Sequence, residues 1–325
     1  MNTILHEYII FIIKIITIII VPFFFIMLIY IGKQKNKNKF NIINLNKKYI
    51  FEQKIFYKEI YKKNIYKINK NKLENNYKTL QKQNTKNLYI INFNDDINAK
   101  DTNNIKKIIS ILIPIIKEHD EILLKLNSSG GFVNNYGLAA EQLKRLKNKN
   151  IKLTISIDLI AASGGYLMAT VANKIIASHF AIIGSIGVIS VVPNFNKILN
   201  KHNIEIEHHT AGEYKSTLNV IGKNTEHGRK KFIESLNRTH LLFKKFIKEN
   251  RPILEIDKIS TGEYWYAIDA LDLNLIDKIQ TSDEYILEKI NTTNIYEIKI
   301  NKNITFKQKL GESIKNLITK TIMKL

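Results

Sequence analysis

The sequence predicts an α/β protein with a parallel sheet, preceded by one N-terminal transmembrane helix and a basic linker. From Leu88 onward, short apolar runs alternate with helical stretches: LYIINF, a helix over 103–117, EILLKL, a helix over 134–147, and IKLTISI. Strands that alternate with helices in this way are typical of a parallel sheet covered by helices. A chain of 325 residues has room for one sizeable core with appendages.

A segment near the N-terminus is long enough to span a bilayer. Tyr8 to Ile31 carry Lys14 as the only charge, and these 24 residues make about 36 Å of helix at ~1.5 Å per residue. A secretory signal peptide has a shorter apolar core with its positive charge before it, whereas here the lysines follow, in IGKQKNKNK. We therefore expect an uncleaved, single-pass anchor.

The charge of the chain is uneven. Lys33 to Lys86 contain 16 lysines and 3 glutamates, a net charge of +13 out of a formal +21. The positive-inside rule then places the bulk of the chain in the cytoplasm. Lys, Asn and Ile are frequent throughout the chain, and anionic lipid attracts such a segment as well as nucleic acid does. The charge therefore does not by itself indicate nucleic-acid binding.

Composition and charge together divide the chain into four predicted parts. These are the membrane anchor (1–32, with its helix at about 8–31), a basic and partly helical juxtamembrane linker (33–87), the α/β domain (88–282) and a C-terminal extension (283–325) whose residues 307–325 have the amphipathic spacing of a surface helix.

The absence of cysteine excludes thiolate metal sites, a cysteine nucleophile and disulfides. No metalloprotease motif or phosphate loop is present, and no cofactor is expected.

The first candidate for chemistry is the turn NSSGG at 127–131, directly after the strand EILLKL. Gly130 and Gly131 allow backbone N–H groups to turn toward a ligand. In an acyl-transfer enzyme such a turn supplies an oxyanion hole, which binds the charge that develops on a carbonyl oxygen. An ordinary strand-to-helix turn explains the same residues.

The second candidate is Ser163 in AASGGY, which follows the strand IKLTISI and opens a helix. A serine between small residues at a strand-to-helix junction is exposed for nucleophilic attack, and the partial charge of the helix start favours an oxyanion. A helix N-cap is the alternative role for Ser163.

A nucleophilic hydroxyl also needs a base, which is a histidine or a lysine whose proton affinity is lowered by burial. Lys215, in AGEYKST, is one candidate. The histidines within reach along the chain have no orienting acid at a recognisable spacing; they are His179, His202, His208 and His209.

Taken in order, NSSGG, AASGGY, GSIGV at 184–188 and GEYKST resemble the signal peptide peptidase A family of serine proteases, peptidase family S49, which has a Ser-Lys dyad. The interval of 52 residues from Ser163 to Lys215 matches the single-copy members. The anchor, the basic linker and the runs PNFNKIL, GKNTEHGRKKF and STGEYWY are similar to the SohB branch of that family. The resemblance covers essentially the whole chain.

The resemblance implies a role for each matched residue. Ser163 is expected to be the nucleophile and Lys215 the general base. Ser185 matches a serine that orients the lysine, and Gly131 matches the glycine whose N–H donates to the oxyanion. Gly164, at the helix start beside Ser163, is the second expected oxyanion donor. The implied fold is the ClpP/crotonase type, a spiral of β-β-α units whose members form homo-oligomers.

The implied function is that of a serine endopeptidase anchored in the inner membrane, which cuts hydrophobic or membrane-associated polypeptides such as remnant signal peptides. The expected partners are these polypeptides, the lipid bilayer and further copies of the chain, and nucleic acid is not expected. The best known bacterial members work on the outer face of the inner membrane, against the charge rule, so the side stays open. The alternative is a catalytically impaired scaffold (pseudoprotease), motivated by Ser129 at a position where the family usually has proline.

Overall fold

The computed structural model describes residues 2–34, 40–82 and 86–300, and in the N-terminal helix it describes the side chains of residues 6–25. Two compact units are present. Of the described residues, one unit contains 2–34, 40, 41, 299 and 300, and the other contains those between 42 and 298.

The N-terminal unit contains the predicted membrane segment. Helix α1 (Asn2–Gln34) is 33 residues long, and the stretch His6–Phe25 within it has a mean hydropathy of 2.7. By length and composition this helix can cross a membrane. Its described side chains are exposed, including the phenylalanines at 23–25, as expected of a surface that would contact lipid. Pro22 lies inside the helix.

In the described part of the chain the strands are β1 (Phe40–Asn44), β2 (Asn87–Asn94), β3 (Glu121–Asn127), β4 (Lys152–Ile157), β5 (Ile160–Ala162), β6 (Lys174–Ala177), β7 (Ile182–Gly184), β8 (Tyr264–Tyr266), β9 (Lys278–Ile279) and β10 (Asn294–Ile300). The further helices are α2 (Leu45–Ile60), α3 (Lys63–Lys82), α4 (Thr102–Leu112), α5 (Val133–Lys147), α6 (Gly164–Ala169), α7 (Asn196–Lys201), α8 (Glu226–Asn250), α9 (Ile256–Ile259), α10 (Ala267–Asp272) and α11 (Ser282–Lys289).

The strands form two sheets. The larger has the order β1-β10-β2-β3-β4-β6-β9, and its neighbouring strands from β10 to β9 are parallel. The smaller has the order β5-β7-β8, with β5 parallel to β7 and β8 antiparallel to it. The chain thus passes twice from the large sheet to the small one, from β4 to β5 and from β6 to β7. The predicted α/β class with a parallel sheet is confirmed.

The buried strands are the apolar runs seen in the sequence. LYIINF and EILLKL lie in β2 and β3, and all of IKLTISI except its first residue lies in β4. Residues 122–124 in the middle of β3 are fully buried. The predicted helix 134–147 corresponds to α5, whereas the predicted helix 103–117 ends early, at Leu112. Pro114 explains the difference, because proline has no backbone N–H with which to continue the helical hydrogen bonds, and its ring would clash with the carbonyl group four residues earlier.

The described residues of the predicted basic linker 33–87 lie mostly in regular secondary structure. β1 joins the edge of the large sheet, and α2 and α3 follow it within the unit 42–298. Asn46, which is 2% exposed, donates from Nδ2 to the carbonyl oxygens of Ile290 (2.8 Å) and Thr293 (3.0 Å). Its Oδ1 accepts from the N–H of Ile295 at 2.8 Å. One side chain thus fastens α2 to the turn between α11 and β10, and packing continues across the boundary predicted at 87/88.

The boundary predicted at 282/283 also lies inside the packed unit. β10 pairs with β2, from Asn294 opposite Asn87 to Ile298 opposite Ile91. Ile295 is fully buried in this pairing. The compact unit therefore extends to residue 298. The amphipathic segment predicted at 307–325 lies outside the described residues.

A buried carboxylate fastens the start of β3 to α11. Glu121 is 6% exposed, and its carboxylate accepts hydrogen bonds from Lys289 Nζ at 2.7 Å, from Thr154 Oγ1 at 2.6 Å and from the hydroxyl of Tyr285. Burial acts to raise the pKa of Glu121, but the hydrogen bonds and the charge of Lys289 outweigh it and hold this pKa below its usual value. The ionised form of Glu121 therefore stabilises the fold.

We expect Glu121→Gln to lower the free energy of unfolding by about 2 to 4 kcal/mol at neutral pH, because it leaves the Lys289 ammonium without its counter-charge. Since the pKa of Glu121 is lower in the folded state, its contribution is present above about pH 4.3, the pKa of an unfolded-chain glutamate, and is lost as the pH falls through the folded-state value. Urea titrations followed by the fluorescence of Trp265, the single tryptophan, measure both effects.

Glu118→Gln, at an exposed position nearby, is the matched control and should change stability by less than about 0.5 kcal/mol. If Glu121→Gln is as stable as Glu118→Gln at neutral pH, the stabilising role of the network is wrong.

Candidate active site

The turn that follows β3 and the turn between β5 and α6 lie side by side. The N–H of Ser128, directly after β3, donates to the carbonyl oxygen of Ile160 at 2.9 Å, and the N–H of Ala162 donates to the carbonyl oxygen of Ser128 at 3.1 Å. These two hydrogen bonds hold the NSSGG turn beside the residues that lead into α6. The two motifs singled out in the sequence are therefore neighbours in space.

The approach of the two turns is too close for side chains. Gly130 has φ +87°, and a Cβ atom there would lie 2.7 Å from the nitrogen of Gly164 and 2.8 Å from Cβ of Ser163. A Cβ atom on Gly131 would lie 2.1 Å from the carbonyl oxygen of Ile97. Glycine at both positions is therefore required by packing, and for Gly130 also by its backbone conformation.

Ser163 has a strained backbone. Its φ of 51° and ψ of −120° lie outside the regions that residues with a Cβ ordinarily occupy. Such strain persists only where the surroundings enforce it, and it is concentrated at functional sites. The N–H of Ser163 is fixed by the carbonyl oxygen of Gly184 at 2.8 Å, and its side chain makes no capping hydrogen bond to α6. The side chain of Ser163 therefore does not act as an N-cap. A partly exposed serine at a sharp, strained strand-to-helix turn is the arrangement that presents a nucleophile in α/β-hydrolases, and this role of Ser163 stays a prediction.

Two N–H groups beside Ser163 are available to an anion. Gly164 is the first residue of α6, so its N–H has no acceptor within the helix. In residues 40–82 and 86–300, neither this N–H nor that of Gly131 donates to a backbone carbonyl. Gly164 is buried and Gly131 is partly exposed. The arrangement has the donors that an oxyanion hole requires.

Ser163 opens into a cleft of about 800 Å³. Ser163, Ser185 and Gly131 all lie in its wall, and Gly164 is adjacent to Ser163 in the chain. The apolar part of the wall consists of Ile97, Phe132, Val133, Val188 and Ile189. Several of these side chains are widely exposed, Ile189 to 84%. The cleft therefore has the shape and the lining to take an apolar chain segment.

Ser185 is held next to the strand end that fixes Ser163. It has a positive φ of 49°, and its N–H donates to the carbonyl oxygen of Glu263 at 2.7 Å. It directly follows Gly184, the residue that accepts from Ser163. The structure thus brings three predicted residues, Gly131, Ser163 and Ser185, into one cleft; the role of each stays a prediction.

Lys215 does not line this cleft in the described part of the chain. It is exposed, it belongs to the stretch between α7 and α8, and within the described chain it does not contribute to the wall of the cleft. Its N–H closes a turn on the carbonyl oxygen of Gly212 at 3.1 Å. The neighbouring Tyr214 lies under the ammonium of Lys231, 4.8 Å from the ring centroid. In the described chain Lys215 is thus exposed and outside the wall of the cleft that contains Ser163, and its pairing with Ser163 as a dyad stays a prediction.

The sequence did not single out His240, which does lie in the wall of the cleft. It comes from α8, and its Nε2 atom is buried without a hydrogen-bond partner among the described residues. The four histidines considered from the sequence do not line the cleft in the described part of the chain. His240 has no neighbouring motif, and only the packing of α8 beside the cleft identifies it.

Comparison with known proteins identifies the protein family. Residues 145–295 match the model of peptidase family S49, and residues 3–143 match that of the N-terminal part of peptidase family S49. The chain therefore belongs to peptidase family S49, and this membership supports peptidase activity.

Among individual relatives, the chain is similar to proteins named "Probable protease SohB". The protein of that name from Haemophilus influenzae is 46% identical, over 74% of this chain and 69% of the relative. The one from Buchnera aphidicola subsp. Acyrthosiphon pisum is 45% identical, over 100% of this chain and 98% of the relative. A third, from Buchnera aphidicola subsp. Schlechtendalia chinensis, is 44% identical, over 82% and 92%. The resemblance found in the motifs is thereby confirmed.

The close approach of the two turns leads to a prediction for Gly130→Ala. The new Cβ would meet backbone atoms and would sit at an unfavourable φ, so we expect a loss of about 1 to 3 kcal/mol in the free energy of unfolding. Urea titration measures the stability, and covalent labelling by a serine-reactive phosphonate reports the expected loss of Ser163 reactivity.

Gly137→Ala is the matched control, because a Cβ there meets nothing within 4 Å and the position lies inside α5. It should stabilise the protein by about 0.5 to 1 kcal/mol. Equal behaviour of the two variants would contradict the packing argument.

Proposed function

We propose that this protein is a membrane-anchored serine endopeptidase with a Ser-Lys dyad, which hydrolyses peptide bonds in hydrophobic or membrane-associated polypeptides such as remnant signal peptides. The observation that carries the proposal is the strained Ser163, which opens into an apolar cleft between a glycine turn and a helix start. Membership of peptidase family S49 supports the class of reaction.

In the proposed reaction, Ser163 Oγ attacks the carbonyl carbon of the substrate as its proton passes to the neutral amine of Lys215. The carbonyl oxygen becomes an oxyanion, which the N–H groups of Gly131 and Gly164 bind. The C–N bond then breaks, and the leaving amine takes the proton from Lys215. Water hydrolyses the acyl-serine by the same steps and regenerates both residues. Ser185 orients the amine of Lys215.

The position of Lys215 sets a condition on this mechanism. Because the lysine is exposed and outside the cleft, either the stretch between α7 and α8 closes over Ser163 or a second copy of the chain supplies the lysine. In the expected homo-oligomer, a neighbouring copy could supply this lysine. Burial beside Ser163 would also favour the neutral amine of the lysine over the charged ammonium, and the neutral amine is the form that acts as a general base.

We also propose a ClpP/crotonase-type fold and a location in the inner membrane for this protein. The two passages of the chain between the sheets, from β4 to β5 and from β6 to β7, support the spiral of β-β-α units of the ClpP/crotonase type. The apolar helix α1 supports a single-pass anchor in the inner membrane. An anchor tethers the peptidase to the bilayer, so that its search for membrane-associated polypeptides takes place along the membrane. The exposed apolar residues around the cleft, Phe132 (55%) and Ile189 (84%) among them, suit such substrates.

The base can be identified by hydrolysis of an apolar fluorogenic peptide by the full-length protein in detergent micelles. We expect Ser163→Ala and Lys215→Ala each to lose at least about 10³-fold in kcat, as removal of a nucleophile or its base does. His240→Phe is the matched control, because His240 is the one titratable side chain in the described wall of the cleft; it should keep kcat within about tenfold.

Mixing inactive Ser163→Ala with inactive Lys215→Ala then distinguishes the two routes, since activity returns only if one copy serves another. If His240→Phe is inactive and Lys215→Ala is active, the dyad assignment is wrong. If no variant differs from an inactive parent, the scaffold alternative replaces the proposal.

A further inference from the structure

A buried tyrosine connects the three segments that form the site. Tyr136, on α5, is fully buried. Its hydroxyl lies 2.5 Å from Ser128 Oγ and donates to the carbonyl oxygen of Asp96 at 2.6 Å. The N–H of Gly130 in turn donates to Ser128 Oγ at 3.1 Å. The same tyrosine therefore contacts the loop before α4 and the residue that starts the glycine turn.

The directions of these hydrogen bonds follow from the number of protons available. A tyrosine hydroxyl has one proton, and the Asp96 carbonyl can only accept, so this proton points at Asp96. Ser128 must then donate its own proton to the Tyr136 oxygen, and it accepts from Gly130. The result is a directed chain from the Gly130 N–H through Ser128 and Tyr136 to Asp96. Each bond in such a chain polarises the next, and burial strengthens the bonds of Ser128 to Tyr136 and to Gly130.

The ring of Tyr136 also supports the helix start. A Cβ atom on Gly164 would lie 2.5 Å from Cγ of Tyr136, so the ring packs directly on the Gly164 backbone. On another side the ring meets Phe93 edge to face, with centroids 6.2 Å apart. The side chain of Tyr136 therefore supports both expected oxyanion donors. It is hydrogen-bonded through Ser128 to the glycine turn, and its ring packs on the start of α6.

We propose that Tyr136, together with Ser128, is the positioning element of the oxyanion hole: their hydrogen-bonded chain holds the Gly130–Gly131 turn at the distance from Ser163 that transition-state binding requires. This inference rests on the proposed function. Tyr136 is buried behind the glycine turn and acts through it, without contact with the substrate. Because an oxyanion hole works by geometry fixed before the reaction, a loosened turn should affect the transition state more than substrate binding.

Burial also raises the pKa of Tyr136 above its usual value. Its hydroxyl therefore stays protonated at neutral and mildly alkaline pH, and it can donate to Asp96 throughout that range.

The test is the steady-state kinetics of Tyr136→Phe in the full-length, detergent-solubilised protein. This substitution removes one oxygen atom and keeps the ring that packs on Gly164 and Phe93. We expect kcat to fall by about 10- to 100-fold with KM changed by less than about threefold, and the rate of Ser163 phosphonylation to fall in parallel. Ser128→Ala breaks the same chain from its other end and should give the same pattern, so a folding defect in one variant does not obscure the result.

The double variant should lose no more activity than the more affected single variant, because the two residues act through one chain. Tyr285→Phe is the matched control: it removes another buried tyrosine hydroxyl, which bonds to Glu121 at the opposite end of β3. It should lower the urea midpoint while kcat stays within about twofold.

A Tyr136→Phe variant with the kcat of Tyr285→Phe, or with its loss confined to KM, overturns the positioning role. A parent that neither cleaves peptide nor takes the phosphonate label overturns the proposed function, and the positioning role with it.

Discussion

The site depends on the close approach of two backbone turns. The turn after β3 and the turn before α6 are joined by hydrogen bonds between Ser128 and the residues around Ala162, and Gly130 leaves no space for a side chain between them. This contact fixes Ser163 in a backbone conformation that a serine would not otherwise adopt. Gly131 shares the cleft with Ser163, and Gly164 follows Ser163 at the start of α6; the N–H groups of these two glycines are the proposed oxyanion donors.

The parallel sheet makes this approach possible. Parallel strands end at the same edge, so Asn94 of β2 lies opposite Asn127 of β3, and the loops that follow form one side of the molecule. The carboxylate network of Glu121 lies at the other end of β3, where it fastens the sheet to α11. The stabilising Glu121 network and the glycine turn of the candidate site thus lie at opposite ends of β3. This separation allows the strain at Ser163 to be compensated by packing elsewhere.

Much of this could be read from the sequence, because strand runs, glycine turns and a serine at a helix start have local signatures. The packing of the basic stretch could not, since Asn46 looks like any other asparagine until its three backbone partners, about 245 residues away, are known. Tyr136 reads as a core residue of an amphipathic helix, and only its hydroxyl contacts distinguish it. The place of Lys215 is likewise undetermined by its motif, because the stretch around it has neither helix nor strand to fix it.

Whether Ser163 is an activated nucleophile is tested by mapping, with peptide mass spectrometry, the residue to which a fluorophosphonate becomes covalently attached. Ser129, Ser163 and Ser185 all line the cleft, so the mapped residue discriminates among them. We expect a single adduct on Ser163, formed faster in the parent than in Lys215→Ala. An adduct on Ser185 or Ser129, or none on a folded protein, would contradict it.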